Sequence, residues 1–334
     1  MMIALPAPYD LTRAGGVERY ILSLAKALMK KHEVIIYSDS NPGSPFVVRP
    51  LNQAPKDQAD LVITQAIYGQ CPKPDSKKRV HIYHGTILGN WIARPWLLLH
   101  RKFWSWFLME KSSYTGLSGV VTVSRQAMRE VRLMGYTGPI HLVHSGGGFS
   151  DELGIAKKEH TNQKLALFCG RPMDKVKRFD WIEKAVKEAR FLGSSWKLLV
   201  LGDFGNRSED EAVIPLGSLP HFEVLQCLKR ADLQINASYY EGCSLALAEG
   251  MYYASLPALA TRVGGNKDQI LPNQNGDFFK SPIDLAQKLV ALEKNPAILQ
   301  SWRSFLETQC RVPSWEDVAQ SILDFSETLG ESQC

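Results

Sequence analysis

Several common signatures are missing from this 334-residue sequence, and each absence removes a class of protein. No uncharged apolar run of about 18 residues occurs, so no segment is predicted to cross a bilayer as a helix. The N-terminal MMIALPAPYDL lacks the basic start and apolar core of a signal peptide. The six cysteines show no CxxC spacing, which disfavours a zinc site or disulfide framework and favours a reducing cytoplasm. Short repeats and low-complexity tracts are absent, which disfavours solenoids and disorder.

Charge is distributed unevenly along the chain. Residues 1–150 carry 18 Lys and Arg against 9 Asp and Glu, whereas residues 151–334 carry 21 against 25. This asymmetry indicates two domains with different partners, and the length suits two domains of about 150 residues each. The basic half favours an anionic lipid or acceptor. Nucleic acid is a competing interpretation that no binding motif supports, so none is expected as a partner.

Short aliphatic runs alternate with helical patterns, which predicts βα units and parallel sheets. Between them, residues 145–163 are rich in Gly, Ser and charge and are predicted to form a linker. The fold class is therefore α/β, with two open sheets and an expected active site in a cleft between them. The predicted strands are Met2–Leu5, Glu33–Tyr37, Leu61–Thr64, Val80–Tyr83, Val120–Val123 and Ile140–Val143, then Leu165–Cys169, Lys197–Leu201, Ala212–Pro215, Leu233–Asn236 and Ala258–Ala260.

Two glycine- and cation-containing segments follow predicted strands. Gly15-Gly16 precedes an amphipathic helix, where glycines permit close backbone approach and the helix start offers N–H groups to an anion. A tight βα turn explains that pair equally well. Gly170-Arg171, with Lys175 and Lys177 close behind, suits a diphosphate leaving group because fixed cations neutralise the charge that develops. The alternative there is a solvated basic turn.

The most specific segment is Glu241-Gly-Cys-Ser-Leu-Ala-Leu-Ala-Glu249. If Ser244 opens a helix, Glu249 lies inside it and Glu241 on the preceding loop, and the helix start can meet phosphate. Carboxylates accept hydrogen bonds from vicinal hydroxyls, so one suits a transferred sugar and the other a ribose. Two unrelated surface carboxylates are the alternative. The downstream Gly264-Gly265 forms either a second approach to a ligand or a simple turn.

In this order and spacing, GGVER, GR with a downstream Lys, EGCSLALAEGM and LPALATRVGG resemble the GT-B glycosyltransferases of family 4, the glycosyl transferases group 1. The similarity extends over nearly the whole chain and includes Ser314-Trp315-Glu316 before the last helix. It implies two Rossmann-like domains facing each other across a cleft. Residues 1–150 would bind the acceptor, with the helix at about 318–334 packed on them, and residues 151–317 would bind the nucleotide sugar.

The resemblance also implies a role for individual positions. These are Gly15 and Gly16 at the donor phosphate, His84 beside the sugar, Arg171 and Lys177 on the diphosphate, Gly217 and Leu219 at the base, Glu241 on the sugar hydroxyls, Ser244 and Leu245 with their backbone nearby, and Glu249 on the ribose. One residue more than usual separates Gly170 from Lys177, which leaves Lys175 open as the phosphate ligand. Arg178 stands where Gly is common.

Retention of anomeric configuration is implied by the resemblance alone. The implied route is attack on the face that the leaving group departs from, with the departing phosphate helping to deprotonate the acceptor hydroxyl. No Asp-x-Asp motif or His cluster occurs, and Arg171 and Lys177 supply positive charge, so neither a metal nor a cofactor is expected. The donor is expected to be UDP- or GDP-linked.

Residues 91–111 (WIARPWLLLHRKFWSWFLMEK) mix tryptophans with basic residues. Trp96, Trp104 and Trp106, together with Arg101 and Lys102, are what an interfacial helix uses among lipid headgroups. A core helix with solvated charges is the alternative.

The leading functional prediction is a retaining hexosyltransferase that acts on a hydroxyl of a glycan or lipid-linked acceptor. We expect a role in cell-envelope polysaccharide or lipopolysaccharide biosynthesis, in the cytoplasm on the inner face of the membrane. A sugar-nucleotide epimerase of the same fold is one alternative. A non-catalytic, membrane-associated subunit is another, and the intact motifs disfavour it.

Overall fold

The structure is a computed structural model that describes all residues except 14, 67, 153–163, 205–210, 310–311 and 331–334. The chain divides into two compact units, one of Met1–Ser150 with Pro313–Cys334 and one of Asp151–Val312. Of the predicted linker, residues 145–152 are described and 153–163 lie outside the described residues. Among the described residues, no helix combines the length and apolar character needed to cross a bilayer.

The first unit contains, within the described residues, a seven-stranded parallel sheet in the order β3-β2-β1-β4-β5-β6-β7. Its strands are β1 (Met2–Pro6), β2 (Glu33–Tyr37), β3 (Val47–Arg49), β4 (Leu61–Gln65), β5 (Arg79–Tyr83), β6 (Gly119–Thr122) and β7 (Ile140–Leu142), and its first helices are α1 (Gly16–Leu28), α2 (Ile87–Ala93), α3 (Arg101–Ser112) and α4 (Arg125–Leu133). The central strands are buried on both faces, which explains their continuous aliphatic runs.

The second unit contains, within the same described ranges, a six-stranded parallel sheet in the order β10-β9-β8-β11-β12-β13. Its strands are β8 (Leu165–Cys169), β9 (Lys197–Leu201), β10 (Val213–Gly217), β11 (Leu233–Asn236), β12 (Ala258–Thr261) and β13 (Gly276–Phe279), and its helices are α5 (Phe179–Phe191), α6 (His221–Arg230), α7 (Leu245–Ala254), α8 (Asn266–Gln269), α9 (Pro282–Lys294) and α10 (Pro296–Thr308). Chain order reverses between β8 and β11, so the loops after these strands meet at a topological switch point.

The last helix, α11 (Trp315–Thr328), belongs to the first unit. The segment that returns to the first unit begins at Pro313 and α11 at Trp315, a few residues before the predicted start at about 318. Trp315 N–H donates to Gly148 O at 2.8 Å, and Gly147 N–H donates to Pro313 O at 3.0 Å. The Trp315 ring meets the Tyr20 ring of α1 edge-on at 4.9 Å. These contacts fix the start of α11 within the first unit.

Candidate active site

The centre of the candidate site is an ion pair between two loops of the second unit. Lys177 lies after β8 and Glu241 after β11, and Lys177 Nζ donates to Glu241 Oε2 at 2.7 Å. The two residues are 64 positions apart in sequence. They meet because β8 and β11 are neighbours in the sheet, and parallel strands end on the same edge.

Further donors hold the Glu241 carboxylate. Ser238 Oγ donates to Oε2 at 2.9 Å, and Ser238 N–H is itself fixed by Asn236 Oδ1 at 3.0 Å. Burial alone would raise the pKa of Glu241, but the charge of Lys177 and hydrogen bonds from Lys177, Ser238 and Asn236 bring it below its ordinary value. Glu241 is therefore a carboxylate at neutral pH, ready to accept hydrogen bonds.

Helix α7 begins directly after this loop, as the sequence predicts. Ser244 is its N-cap, and its Oγ accepts from Leu247 N–H at 3.4 Å. The Gln269 side chain binds the Ser244 backbone at both ends, accepting from its N–H and donating to its C=O at 2.9 Å each. The first helical N–H groups, beginning at Leu245, have no intrahelical acceptor, so this capped terminus is suited to an anion. Glu249 lies inside α7 and is buried.

The Gly264-Gly265 pair packs against the Glu241 loop. Gly265 N–H donates to Glu241 O at 2.7 Å. A Cβ on Gly264 would stand 1.7 Å from Glu241 O, and one on Gly265 would stand 2.0 Å from Gly242 O. Gly264 also has φ of +47°, which disfavours L side chains. The pair is thus required for backbone contact with the carboxylate loop, which goes beyond a simple turn.

The cations of the basic loop after β8 differ in their exposure and in their partners. Arg171 is exposed and pairs with Asp174 at 2.9 Å, and Asp174 Oδ1 caps the short 3₁₀ turn Lys175–Lys177 by accepting from Val176 N–H. Lys175 is exposed. Of the two lysines that the sequence leaves open as the phosphate ligand, Lys177 is the one that contacts Glu241.

Glycines also allow close backbone contacts at the ends of the strands beside this loop. Gly202 N–H donates to Gly217 O at 2.8 Å, and a Cβ on Gly202 would stand 1.8 Å from Gly170 O. The segment predicted to seat the base, Gly217 to Leu219, thus lies two strands from Arg171 on the same sheet edge. Its backbone is open to a ligand at Gly217, where an added Cβ would meet nothing within 4 Å.

In the first unit, Gly15 is the N-cap of α1 and Gly16 is its first residue. His84, after β5, bonds through Nε2 to Gln65 Oε1 at 2.7 Å, while Gln65 Nε2 donates to Tyr9 Oη. Because Gln65 Oε1 only accepts, His84 Nε2 carries the proton and Nδ1 keeps a lone pair. Burial lowers the pKa of His84 to about 3, so His84 is a neutral hydrogen-bonding group at neutral pH. A role of Gly15, Gly16 and His84 toward donor or sugar stays a prediction.

One family model matches the part of the second unit that contains the candidate site residues. Residues 163–295 match the model of the family described as glycosyl transferases group 1. By this match, residues 163–295 are similar to a group 1 glycosyltransferase domain. No curated protein sequence matches it.

Several solved structures share the fold of this glycosyltransferase. It is similar to sucrose-phosphate synthase from Thermosynechococcus elongatus (17% identity, 98% of each chain covered, TM-score 0.79). It is also similar to WaaG, a glycosyltransferase involved in lipopolysaccharide biosynthesis (16%, 98% of this chain and 100% of that one, 0.77). Anabaena HepE in complex with UDP and glucose is a third (13%, 98% and 100%, 0.76). The predicted GT-B fold and the glycosyltransferase class are confirmed. Sequence identities this low do not identify the substrates of this chain.

The glycosyltransferase exposes an aromatic hairpin, defined here as residues 87–112. Trp96, Trp104 and Trp106 are exposed by 54%, 46% and 42%, and the neighbouring Arg101 and Lys102 are exposed as well. The interpretation as a core helix with solvated charges is therefore wrong for these three tryptophans.

Trp91, in contrast, packs inside the hairpin. Its ring lies against the rings of Phe103, Trp104 and Phe107, at centroid distances of 6.3, 5.1 and 6.0 Å. It therefore supports the exposed aromatic surface from beneath.

Two buried carboxyl groups, one in α3 of the aromatic hairpin and one in α4, were not predicted from the sequence. Glu110 of α3 accepts from Ile87 N–H at 2.6 Å, and Glu130 of α4 accepts from Thr86 Oγ at 2.6 Å. Burial, reinforced by the charge of Glu130, raises the pKa of Glu110 to about 8 despite the Ile87 hydrogen bond. The spacing of Phe103, Phe107 and Glu110 on one helical face is the signal that could have revealed Glu110.

Proposed function

We propose that this glycosyltransferase transfers a hexose-type sugar, with retention, from a UDP- or GDP-linked donor to a hydroxyl of a glycan or lipid-linked acceptor. The observation that carries the proposal is the Lys177–Glu241 pair beside the Ser244-capped start of α7. A cation and a helix N-terminus suit a diphosphate, and an adjacent ionised carboxylate suits sugar hydroxyls.

The chemistry assigned to each group follows from its charge. As the bond between the anomeric carbon and the diphosphate breaks, negative charge grows on the phosphate oxygen, and Arg171, Lys177 and α7 stabilise it without a metal or a cofactor. That oxygen takes the proton of the acceptor hydroxyl while the new C–O bond forms on the same face. Glu241 orients the sugar, and Glu249 is assigned to the ribose.

Two similar structures support the choice of substrates. HepE is described with UDP-glucose, and WaaG is described as involved in lipopolysaccharide biosynthesis. By analogy we place this enzyme in cell-envelope polysaccharide or lipopolysaccharide synthesis, at the inner face of the cytoplasmic membrane.

Donor binding tests the proposal and separates the two lysines. A panel of UDP-, GDP- and ADP-linked hexoses should contain one member that stabilises the protein by about 2.7 kcal/mol at 100 times its Kd. The same donor should stabilise Lys175→Met as in the wild type and Lys177→Met far less, measured by thermal unfolding. Stabilisation lost only in Lys175→Met would contradict the assignment of the phosphate to Lys177.

Product analysis separates transfer from epimerisation. Incubation of the protein with that donor and an envelope-glycan extract should yield a new glycoside. Its anomeric configuration, α or β, should be the same as that of the donor. Conversion of the donor sugar to its epimer, with no glycoside formed, would favour the epimerase.

The aromatic hairpin supports a membrane-associated acceptor. Its exposed tryptophans and cations lie in the half of the sequence with excess positive charge, and such surfaces insert among anionic headgroups. We therefore propose peripheral binding to an anionic membrane through this hairpin.

Vesicle sedimentation checks the membrane proposal. The wild type should sediment with vesicles that contain anionic lipid and be released by salt. The double variant Trp104→Ala/Trp106→Ala should bind about 10-fold or more weakly, because each Trp loses apolar burial. Phe191→Ala, which removes an exposed aromatic of α5, is the matched control and should sediment as the wild type. Equal recovery of wild type in the supernatant with and without vesicles would reject membrane binding.

A further inference from the structure

Arg178 occupies a backbone conformation that glycine favours. Its φ and ψ are 45° and 47°, in the left-handed region, at the junction between the Lys175–Lys177 turn and α5. A side chain there crowds the following carbonyl, so a non-glycine residue carries a conformational cost. Contacts of the Arg178 side chain must offset that cost.

Those contacts reach across to the other loop of the site. Arg178 is only 9% exposed, and its Nε donates to Ala237 O at 2.6 Å while Nη2 donates to Ser238 O at 3.1 Å. The guanidinium lies over the rings of Trp181 and Tyr239, at 3.9 and 4.2 Å from their centroids. A planar guanidinium held by two carbonyl acceptors and two aromatic rings is fixed in orientation, and a lysine ammonium could not reproduce these contacts.

The two loops that Arg178 joins both supply donors to one carboxylate oxygen. Lys177 Nζ and Ser238 Oγ each donate to Glu241 Oε2, and these residues neighbour Arg178 and its acceptor carbonyls. A second link runs parallel, since Tyr239 N–H donates to Val176 O at 2.8 Å. The distance from Lys177 to Glu241 thus depends on how these loops are held together.

We propose that Arg178 is a positioning residue that sets the geometry of the Lys177–Glu241 pair without contacting substrate. The proposal rests on the function proposed for that pair, because it assigns Arg178 the task of aligning the diphosphate and sugar ligands with each other. Three groups reach Glu241 from the elements around it: Lys177 from the basic loop, and Asn236 and Ser238 from β11 and its loop. If the two loops loosen, these three groups bind the Glu241 carboxylate more weakly while the carboxylate stays buried. The pKa of Glu241 then rises.

The test uses Arg178→Gly, which suits the left-handed backbone, and Arg178→Lys, which keeps the charge. Arg303→Lys is the matched control, since Arg303 also donates to a backbone carbonyl of this unit, Ala231 O. The Glu241 carboxyl carbon is titrated by ¹³C NMR in the unliganded full chain, with Glu241→Gln to assign the signal. Both Arg178 variants should raise the Glu241 pKa, and Arg303→Lys should not.

With the donor found by the panel, the Arg178 variants should lose about 10- to 100-fold in kcat/KM, with its acid limb moved to higher pH. An unchanged Glu241 titration in folded Arg178→Lys would overturn the positioning role. A raised Glu241 pKa in a protein that consumes no nucleotide sugar would support positioning and reject the proposed function instead.

Discussion

Replacing Glu241 by Gln is expected to lower kcat/KM for sugar transfer by about 10²- to 10³-fold while the fold is retained. The Gln side chain keeps the volume of Glu, and its amide oxygen can still accept from Lys177 and Ser238. It loses the negative charge, so the hydrogen bonds from sugar hydroxyls weaken as positive charge develops at the anomeric carbon. It also leaves Lys177 without its counter-charge, which shifts the local potential around the diphosphate.

Steady-state kinetics with the donor identified by the panel measures this loss, and thermal unfolding verifies the fold. Glu293→Gln is the matched control, because Glu293 also accepts hydrogen bonds from two serines, Ser194 and Ser195, in the same unit. It should leave kcat/KM unchanged. Wild-type turnover by a folded Glu241→Gln would show that the sugar is held elsewhere, and would revive the alternative of unrelated carboxylates. Inactivity of the wild type itself across the panel would favour the non-catalytic subunit.

The sequence predicts much of this site because its motifs follow strands, and strand ends are where α/β sheets bind ligands. On that ground the sequence predicts the cations after β8, with Lys177 among them. Glu241 is predicted from its position ahead of the helix that Ser244 opens, and the start of α7 follows from the same capping residue. Their direct contact could not be predicted. It requires β8 and β11 to be neighbours, although β9 and β10 lie between them in the chain.

Other features escaped prediction for local reasons. Strand β3 has only three residues, one exposed and two partly buried, and it lies at a sheet edge, so its hydrophobic signal is short. Strand β13, with the sequence GDFF, begins with two residues that disfavour strands. The need for Gly264 became visible only with Glu241 O placed against it, since one sequence does not show which backbone lies opposite a glycine.

Glu110→Gln is expected to stabilise the protein at alkaline pH and to have little effect at acidic pH. The pKa of Glu110 is raised to about 8 in the folded chain, from an ordinary value of 4.5. The folded state therefore binds more protons than the unfolded state between these values, and its stability falls as pH rises through the window. Below pH 4.5 both states are protonated and the contribution is fully present. The loss amounts to about 1.4 kcal/mol per pH unit inside the window.

Glutamine resembles the protonated form, because its amide oxygen can accept from Ile87 N–H and it carries no charge. The advantage of Glu110→Gln over wild type should thus grow by about 3 kcal/mol between pH 5 and pH 8, measured from unfolding midpoints. Glu33→Gln, at an exposed position on the same unit, should follow the wild-type curve. A difference between Glu110→Gln and wild type that stays constant with pH would mean that Glu110 is already ionised in the folded protein. In that event a donor other than Ile87 N–H must neutralise it, and the seating of α2 on α3 would rest on that donor.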